Sequence, residues 1–80
     1  MTKQELKSYI ANAECEKTFE PLKERGANIF DIEVRHMKNV EFKNKLIAEK
    51  KQYTGEEWEK YSKQMNEDAI ILLRLIDELF

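Results

Sequence analysis

The chain has few of the residue types that cross-link or interrupt small folds: one cysteine, one proline and two glycines among 80 residues. With Cys15 alone, no disulfide can form within the chain, and a zinc site built from several thiolates is excluded. Few breakers combined with 38% charged residues indicate a helix-rich chain with short connections. A chain of this length buries only about 60–65% of its unfolded surface. We therefore expect one helical domain over residues 1–80, stabilised by tight packing or by oligomerisation.

Long apolar runs are also missing. The N-terminal residues lack the apolar segment of a signal peptide, and no stretch reaches the roughly 18 apolar residues that span a bilayer. The C-terminal apolar run is interrupted by Arg74, Asp77 and Glu78. We expect a soluble, cytoplasmic protein that does not contact membranes. Its Lys, Glu, Asn and Ile content is typical of an A+T-rich genome, which predicts a low-GC bacterium or one of its phages or plasmids.

Groups suited to nucleophilic catalysis are scarce, because the chain has one cysteine and one histidine, Cys15 and His36. Cys15 lies between Glu14 and Glu16, and their negative charge disfavours the thiolate that a nucleophile needs. The pattern indicates an inert thiol rather than a Cys–His catalytic pair.

The sequence also lacks a complete metal-binding motif and a phosphate-binding motif. The Glu33-x-x-His36 pattern places a carboxylate and an imidazole on one helix face, but di-iron four-helix proteins need two such motifs and further glutamates. Gly26 and Gly55 are isolated, so the chain has no glycine-rich phosphate loop. We expect no enzymatic activity, no metal and no cofactor.

What the chain does have is a very apolar C-terminus, with eight large apolar residues among the last eleven. Their apolar arc covers roughly 200° of a helix, and such a helix needs two neighbours. The predicted self-association residues are Leu72, Leu75, Ile76, Leu79 and Phe80. Upstream, Trp58, Tyr61 and Met65 continue one narrow stripe with Leu72, Ile76 and Leu79, which we interpret as core.

The N-terminal segment predicts a helix that is interrupted before residue 26. Thr2-x-x-Glu5 is a capping-box pattern that starts it. Pro21 lacks an N–H and collides with the preceding turn, so we expect a kink or break around residues 18–21. Gly26 is a natural left-handed stop.

The middle segment predicts a second helix with two apolar faces. Asn28 can cap it. One face carries Phe30, Val34 and Met37, with Ile29, Val40 and Ile47 close by; the other carries Phe42, Leu46 and Tyr53. The helix therefore either bends near Asn39 or contacts partners on two sides. Alternation over residues 30–34 leaves a strand as the alternative, although no second strand is available to pair with it.

The last segment predicts a third helix of about 25 residues, nearly 40 Å long. It opens with a second capping box, Thr54 with Glu57. The predicted architecture is all-α: an antiparallel hairpin of two long helices joined near residues 53–55, plus the N-terminal helix. We expect this three-helix bundle to be completed by oligomerisation, because the N-terminal segment covers only part of the hairpin.

Charge is divided along the chain despite a net charge of −2. Residues 35–51 hold six basic and two acidic side chains, and residues 54–80 hold seven acidic and three basic ones. Neighbouring antiparallel helices would attract each other across these flanks, by a few tenths of a kcal/mol per exposed pair.

These observations favour a small non-catalytic binding protein that regulates or inhibits a macromolecular partner. Phe42 and Phe80 are hard to place in a three-helix core, and aromatic side chains concentrate at interface hot spots, so we predict that they contact a partner. One alternative is a helical nucleic-acid-binding regulator that contacts phosphates through Arg35, Lys38, Lys43 and Lys45. Another is an oligomer that sequesters a small anionic ligand, such as a nucleotide, between subunits.

Overall fold

A computed structural model describes residues 1–49 and 55–80. These residues form α-helices and one 3₁₀ turn, and none of them lies in a strand. The elements are α1 (Lys3–Ala11), the 3₁₀ turn (Cys15–Thr18), α2 (Phe19–Glu24), α3 (Phe30–Ala48) and α4 (Glu56–Leu79). The all-α prediction is confirmed. The strand alternative for residues 30–34 is wrong, because α3 includes all five of them.

The N-terminal break lies earlier than the sequence predicts. The chain leaves the α-helix after Ala11, and Ala13 adopts a left-handed conformation with φ of 59°. Pro21 is the third residue of α2, where the backbone N–H has no partner within the helix in any case. Its missing N–H therefore costs nothing, and the predicted break at residues 18–21 is wrong by about one and a half turns.

The predicted helix ends agree better with the structure. The Thr2 hydroxyl accepts from the Glu5 amide at 3.2 Å and caps α1. Gly26 ends α2 with φ of 88°, and the Ala27 amide donates to the Leu22 carbonyl at 3.0 Å. The Asn28 cap is wrong: Ile29 is the N-cap of α3 and makes no side-chain capping hydrogen bond, while the Asn28 carboxamide oxygen accepts from the Phe30 amide at 3.5 Å. Tyr53 and Thr54, and with them the second capping box, lie outside the described residues.

The core lies at one end of an elongated molecule measuring 39 × 21 × 17 Å. It forms where α1, the 3₁₀ turn, α2 and the start of α3 surround the C-terminal half of α4. Much of the apolar arc of α4 therefore finds its neighbours within the same chain, while Ile70 and Ile71 stay exposed. The core cluster consists of Leu6, Cys15, Phe19, Leu22, Ile29, Ile32, Leu72 and Ile76.

Beyond the core cluster, α3 and α4 continue side by side. Their contacts run in opposite order along the two helices, with Arg35 against Asp68, Asn39 against Met65 and Phe42 against Tyr61. We call this part, residues 37–48 of α3 and 56–65 of α4, the distal arm. Within the described residues, no helix is both long enough and apolar enough to span a bilayer.

Candidate functional site

Three aromatic rings cluster in the distal arm. Phe42 of α3 lies with its ring centroid 6.0 Å from that of Tyr61 on α4, at an interplanar angle of 35°. The Trp58 ring follows one turn earlier on α4, 5.3 Å from Tyr61 and tilted by 32°. All three side chains are half-buried. Aromatic rings at these separations attract one another, so the cluster joins the two helices while part of each ring surface stays accessible.

An open cleft of about 370 Å³ lies against this cluster, lined by Asn39, Phe42, Lys60, Tyr61 and Gln64. Its volume falls in the range of ligand-binding clefts, roughly 300–1,000 Å³. The walls combine two aromatic rings, two amides and one exposed cation. Such a surface suits an apolar or aromatic group that is accompanied by a negative charge. We call it the aromatic cleft.

The polar wall of the aromatic cleft is positioned by a buried carboxylate. Asp68 is 6% exposed, and its Oδ1 accepts from Gln64 Nε2 at 3.4 Å and from Arg35 Nε at 3.0 Å. Arg35 Nη2 lies 2.9 Å from the same oxygen, and the hydrogen bond to Asp68 raises the pKa of the Arg35 guanidinium. Asn39 Nδ2 donates to the Met65 sulfur at 3.5 Å. The two lining amides are therefore held by side-chain contacts, Asn39 by Met65 within the arm and Gln64 by Asp68 just beyond it.

The four predicted anion-contact residues do not converge. Arg35 is engaged with Asp68, whereas Lys38, Lys43 and Lys45 are exposed. Helical geometry places Lys38 and Lys45 on one flank of α3 and Lys43 roughly 150° away on the other. Contact with nucleic acid or a nucleotide through these residues stays a prediction.

The predicted partner-contact residues have three different environments. Leu72 and Ile76 have no exposed surface and belong to the core cluster, so neither can meet a partner in this fold. Leu75, Leu79 and Phe80 are partly buried against the same cluster. The Phe80 ring also lies 4.4 Å from the Arg25 guanidinium carbon, a cation–π distance.

Of the predicted contact residues, Phe42 lines the aromatic cleft, and Phe80 lines a second open cleft beside Pro21 and Arg25. Trp58 and Tyr61 were interpreted as core from their stripe, and their place beside the cleft was missed. The stripe does not show where the N-terminal segment stops covering α4. Self-association through the C-terminal residues stays a prediction, although two of its five residues are covered by their own chain.

The side chains considered for catalysis, Cys15, His36 and Glu33, are buried or contact other residues instead of one another. Cys15 is buried, and burial, followed by the charge of Glu16, raises the pKa of its thiol. The His36 ring meets Phe19 edge-on at 5.3 Å, and its Nε2 lies 3.8 Å from a Glu16 carboxylate oxygen. Glu33 Oε2 accepts from Lys23 Nζ at 3.3 Å rather than sharing a site with His36.

Metal-ligand side chains are likewise dispersed. Over residues 1–49 and 55–80, no three His, Cys, Asp or Glu side chains are grouped closely enough to hold a metal ion.

A second feature is the outer face of α3, which is one of the two apolar faces that the sequence predicts for this helix. Four large apolar side chains stay exposed there: Phe30 at 69%, Met37 at 65%, Ile47 at 51% and Val40 at 41%. In the described residues, α3 packs on α4 through its other face. The N-terminal segment borders this face at Glu33, which pairs with Lys23, and at Val40, which lines a cleft with Ala13 and Glu16.

The all-α fold class is shared by proteins with many unrelated activities, so the fold alone does not indicate a function. Comparison of the chain with protein-family models, with curated proteins and with solved structures finds no match.

Proposed function

We propose that this chain is a small non-catalytic binding protein that regulates or inhibits a protein partner, and that the partner binds at the aromatic cleft. The observation that carries the proposal is the cluster of Phe42, Tyr61 and Trp58 beside an open cleft, away from the core cluster. None of these three rings belongs to the core cluster. Aromatic side chains on a rigid platform are the usual anchors of protein interfaces.

The mechanism is steric. An apolar or aromatic side chain of the partner enters the aromatic cleft, and an acidic group beside it pairs with Lys60. Because the arm is built from two long helices, it lies across the partner's working surface as a rigid rod. A charge pair at the exposed Lys60 contributes mainly to the rate of association and to orientation, while the buried apolar contact supplies most of the affinity.

The finer architecture belongs to the same proposal. It comprises an antiparallel hairpin of α3 and α4, covered at one end by the N-terminal segment and completed by self-association, acting in the cytoplasm. Small regulators of this kind fit a phage- or plasmid-encoded protein. The support is the reversed order of contacts between the two helices and the A+T-type composition of the chain.

A site-specific photocross-linker tests the docking surface directly. We would place p-benzoyl-L-phenylalanine at position 60, which lines the cleft, and at position 63 as the matched control. Lys60 and Lys63 are exposed lysines of the same helix, but their directions differ by roughly 60°. Irradiation in a lysate should give a defined adduct from position 60 and little or none from position 63. Equal labelling from both positions would contradict a specific site.

Alanine substitutions separate binding from stability. Tyr61→Ala should reduce the yield of the position-60 adduct by roughly thirtyfold or more at subsaturating concentration, since hot-spot aromatic side chains cost 2 kcal/mol or more on truncation. Tyr9→Ala is the matched control, because Tyr9 is also half-buried but packs against the core cluster. The control should lower the thermal midpoint and leave the adduct intact. If Tyr61→Ala changes stability alone, the cluster only joins the helices and the proposal fails.

Nucleic-acid binding is the alternative function, and one observation favours it. Lys38 and Lys45 are both exposed and lie on one flank of α3, seven residues apart. Binding to a phosphate backbone must weaken steeply with salt, because it releases counterions. A Lys38→Gln/Lys45→Gln variant should then reduce the salt slope by about two. Binding of DNA or RNA that is insensitive to salt, or no binding at all, would exclude this alternative.

A further inference from the structure

The outer face of α3 carries a regular pattern. Its exposed apolar residues, Phe30, Met37, Val40 and Ile47, are spaced by seven, three and seven residues. This spacing is that of the a and d positions of a heptad, the seam along which two helices pack. The seam extends over about 26 Å of helix. It points away from the aromatic cleft, because Met37 lies roughly 160° around the helix from Arg35 and the α4 contact.

Two polar residues complete the seam. Glu33 and Asn44 fill the remaining heptad positions, so the seam is Phe30, Glu33, Met37, Val40, Asn44 and Ile47. The residue types along the seam follow the order apolar, polar, apolar, apolar, polar, apolar. This order is the same whether the seam is followed from its N-terminal or its C-terminal end. A helix with such a pattern is self-complementary when a second copy runs antiparallel, as a two-fold symmetric interface requires.

We propose that the occupant of this face is a second copy of the chain, paired antiparallel through α3. The pairing sets Phe30 opposite Ile47 of the second copy and Met37 opposite its Val40. It sets Glu33 opposite Asn44, where the Glu33 carboxylate, which pairs with Lys23 of its own chain through Oε2, can accept from an amide. Every apolar seam residue then faces an apolar one, and each polar residue faces a polar one.

Charge favours the antiparallel direction over the parallel one. Parallel pairing would place Glu33 directly opposite Glu33, and like charges facing each other are destabilising. The first turn of α3 carries Asp31 and Glu33, and its last turn carries Lys45. Antiparallel pairing brings Glu33, the acidic seam residue of each first turn, to the Lys45 end of the other copy, whereas Asp31 lies on the Arg35 side of α3. It also opposes the two helix dipoles, so that positive and negative ends meet.

Sedimentation equilibrium of the whole chain tests the association. The average mass should rise towards twice the monomer mass as the concentration goes from roughly micromolar to millimolar. Met37→Asp should raise the dissociation constant by at least about tenfold, because it buries a charge twice in the symmetric seam. Ile70→Asp is the matched control, since Ile70 is 57% exposed on α4; it should leave the constant unchanged. A mass that stays monomeric, or an association abolished by Ile70→Asp rather than Met37→Asp, overturns the proposal.

Disulfide trapping tests the direction of the pairing. Mixing Phe30→Cys and Ile47→Cys chains under oxidation should give the mixed disulfide as the main product. In an antiparallel pair the two position-30 residues lie about 25 Å apart, beyond the 7 Å limit for a disulfide. A predominant Phe30→Cys homodisulfide would show a parallel pair and overturn the proposal. Cys15 is buried in each chain, so it does not compete.

Discussion

Ala13 ends α1 in a conformation that favours glycine. Its φ is 59°, its amide donates to the Ile10 carbonyl at 3.1 Å, and the next amide, Glu14, donates to the Tyr9 carbonyl at 2.7 Å. This is the hydrogen-bond pattern of a Schellman motif. Gly26 ends α2 with the same pattern, so the chain uses one motif twice, once with glycine and once with alanine. An L-residue in this region costs roughly 1–2 kcal/mol.

Ala13→Gly should therefore stabilise the fold. Glycine removes the left-handed strain but loses more backbone entropy on folding, so we expect a net gain of about 0.5–1 kcal/mol. Chemical denaturation followed by circular dichroism measures it. Ala11→Gly is the matched control, because Ala11 has helical geometry in α1, where glycine costs about 1 kcal/mol. Equal destabilisation by both substitutions would show that position 13 is not held left-handed.

At the scale of elements, charges attach α1 to the end of α4. Lys7 Nζ lies 2.7 Å from Asp77 Oδ1, and Lys3 Nζ lies 3.8 Å from the same oxygen. The hydrogen bond from Lys7, together with the charges of both lysines, lowers the pKa of Asp77 below its ordinary value of 3.8. A carboxylate with a lowered pKa in the fold contributes stability above its unfolded pKa, and loses that contribution as the pH falls through the folded pKa.

The lowered pKa of Asp77 predicts how the stability of the fold depends on pH. Between pH 7 and pH 5 the Asp77 contribution is fully present. Below about 3.8 it should decline, so the wild type loses stability relative to Asp77→Asn as the pH approaches 2. Urea unfolding of both proteins across this range measures the difference. A constant difference from pH 7 to pH 2 would show that Asp77 has the same pKa folded and unfolded.

The ion pair of Arg35 and Asp68 links α3 to α4, and it is less exposed to solvent than the pair of Lys7 and Asp77. Asp68 is 8% exposed as a side chain, and Arg35 is 36% exposed. Breaking a fully buried pair costs about 3–5 kcal/mol. Because solvent reaches the guanidinium, we expect Arg35→Met to cost about 2 kcal/mol. The double variant Arg35→Met/Asp68→Leu should recover most of this, since no unpaired carboxylate remains; failure to recover would assign the loss to packing of the arginine stem.

Local patterns predict local features, and the structure departs from them where long-range packing decides. The Thr2 cap and the Gly26 stop were predictable because each depends on neighbouring residues. The break at Ala13 was not, because alanine carries no turn signal. Phe42 was predicted as a contact residue from its position on a second helix face. Its cleft depends on Tyr61, nineteen residues away, and on how far the N-terminal segment reaches along α4.

For the whole molecule, the main asymmetry is between a packed end and a two-helix arm. Leu72 and Ile76 are fully buried where α1, α2 and α3 all approach α4. In the distal arm, the described residues of α3 and α4 contact each other, and Leu46 is their buried apolar side chain. Local opening needs less free energy where fewer apolar contacts are lost. The arm should therefore open without unfolding the core.

Native-state hydrogen exchange measures this difference. Amides of residues 70–76 should exchange through global unfolding, whereas amides of residues 43–47 and 60–63 should exchange through local opening at lower free energy. Raising the protein concentration adds a second comparison. Antiparallel pairing through α3 should slow exchange at residues 43–47 as the dimer forms, because binding of the second copy stabilises the helix that it covers. Exchange at residues 60–63 should be less affected. Uniform protection of the whole chain at low concentration would contradict the separate arm.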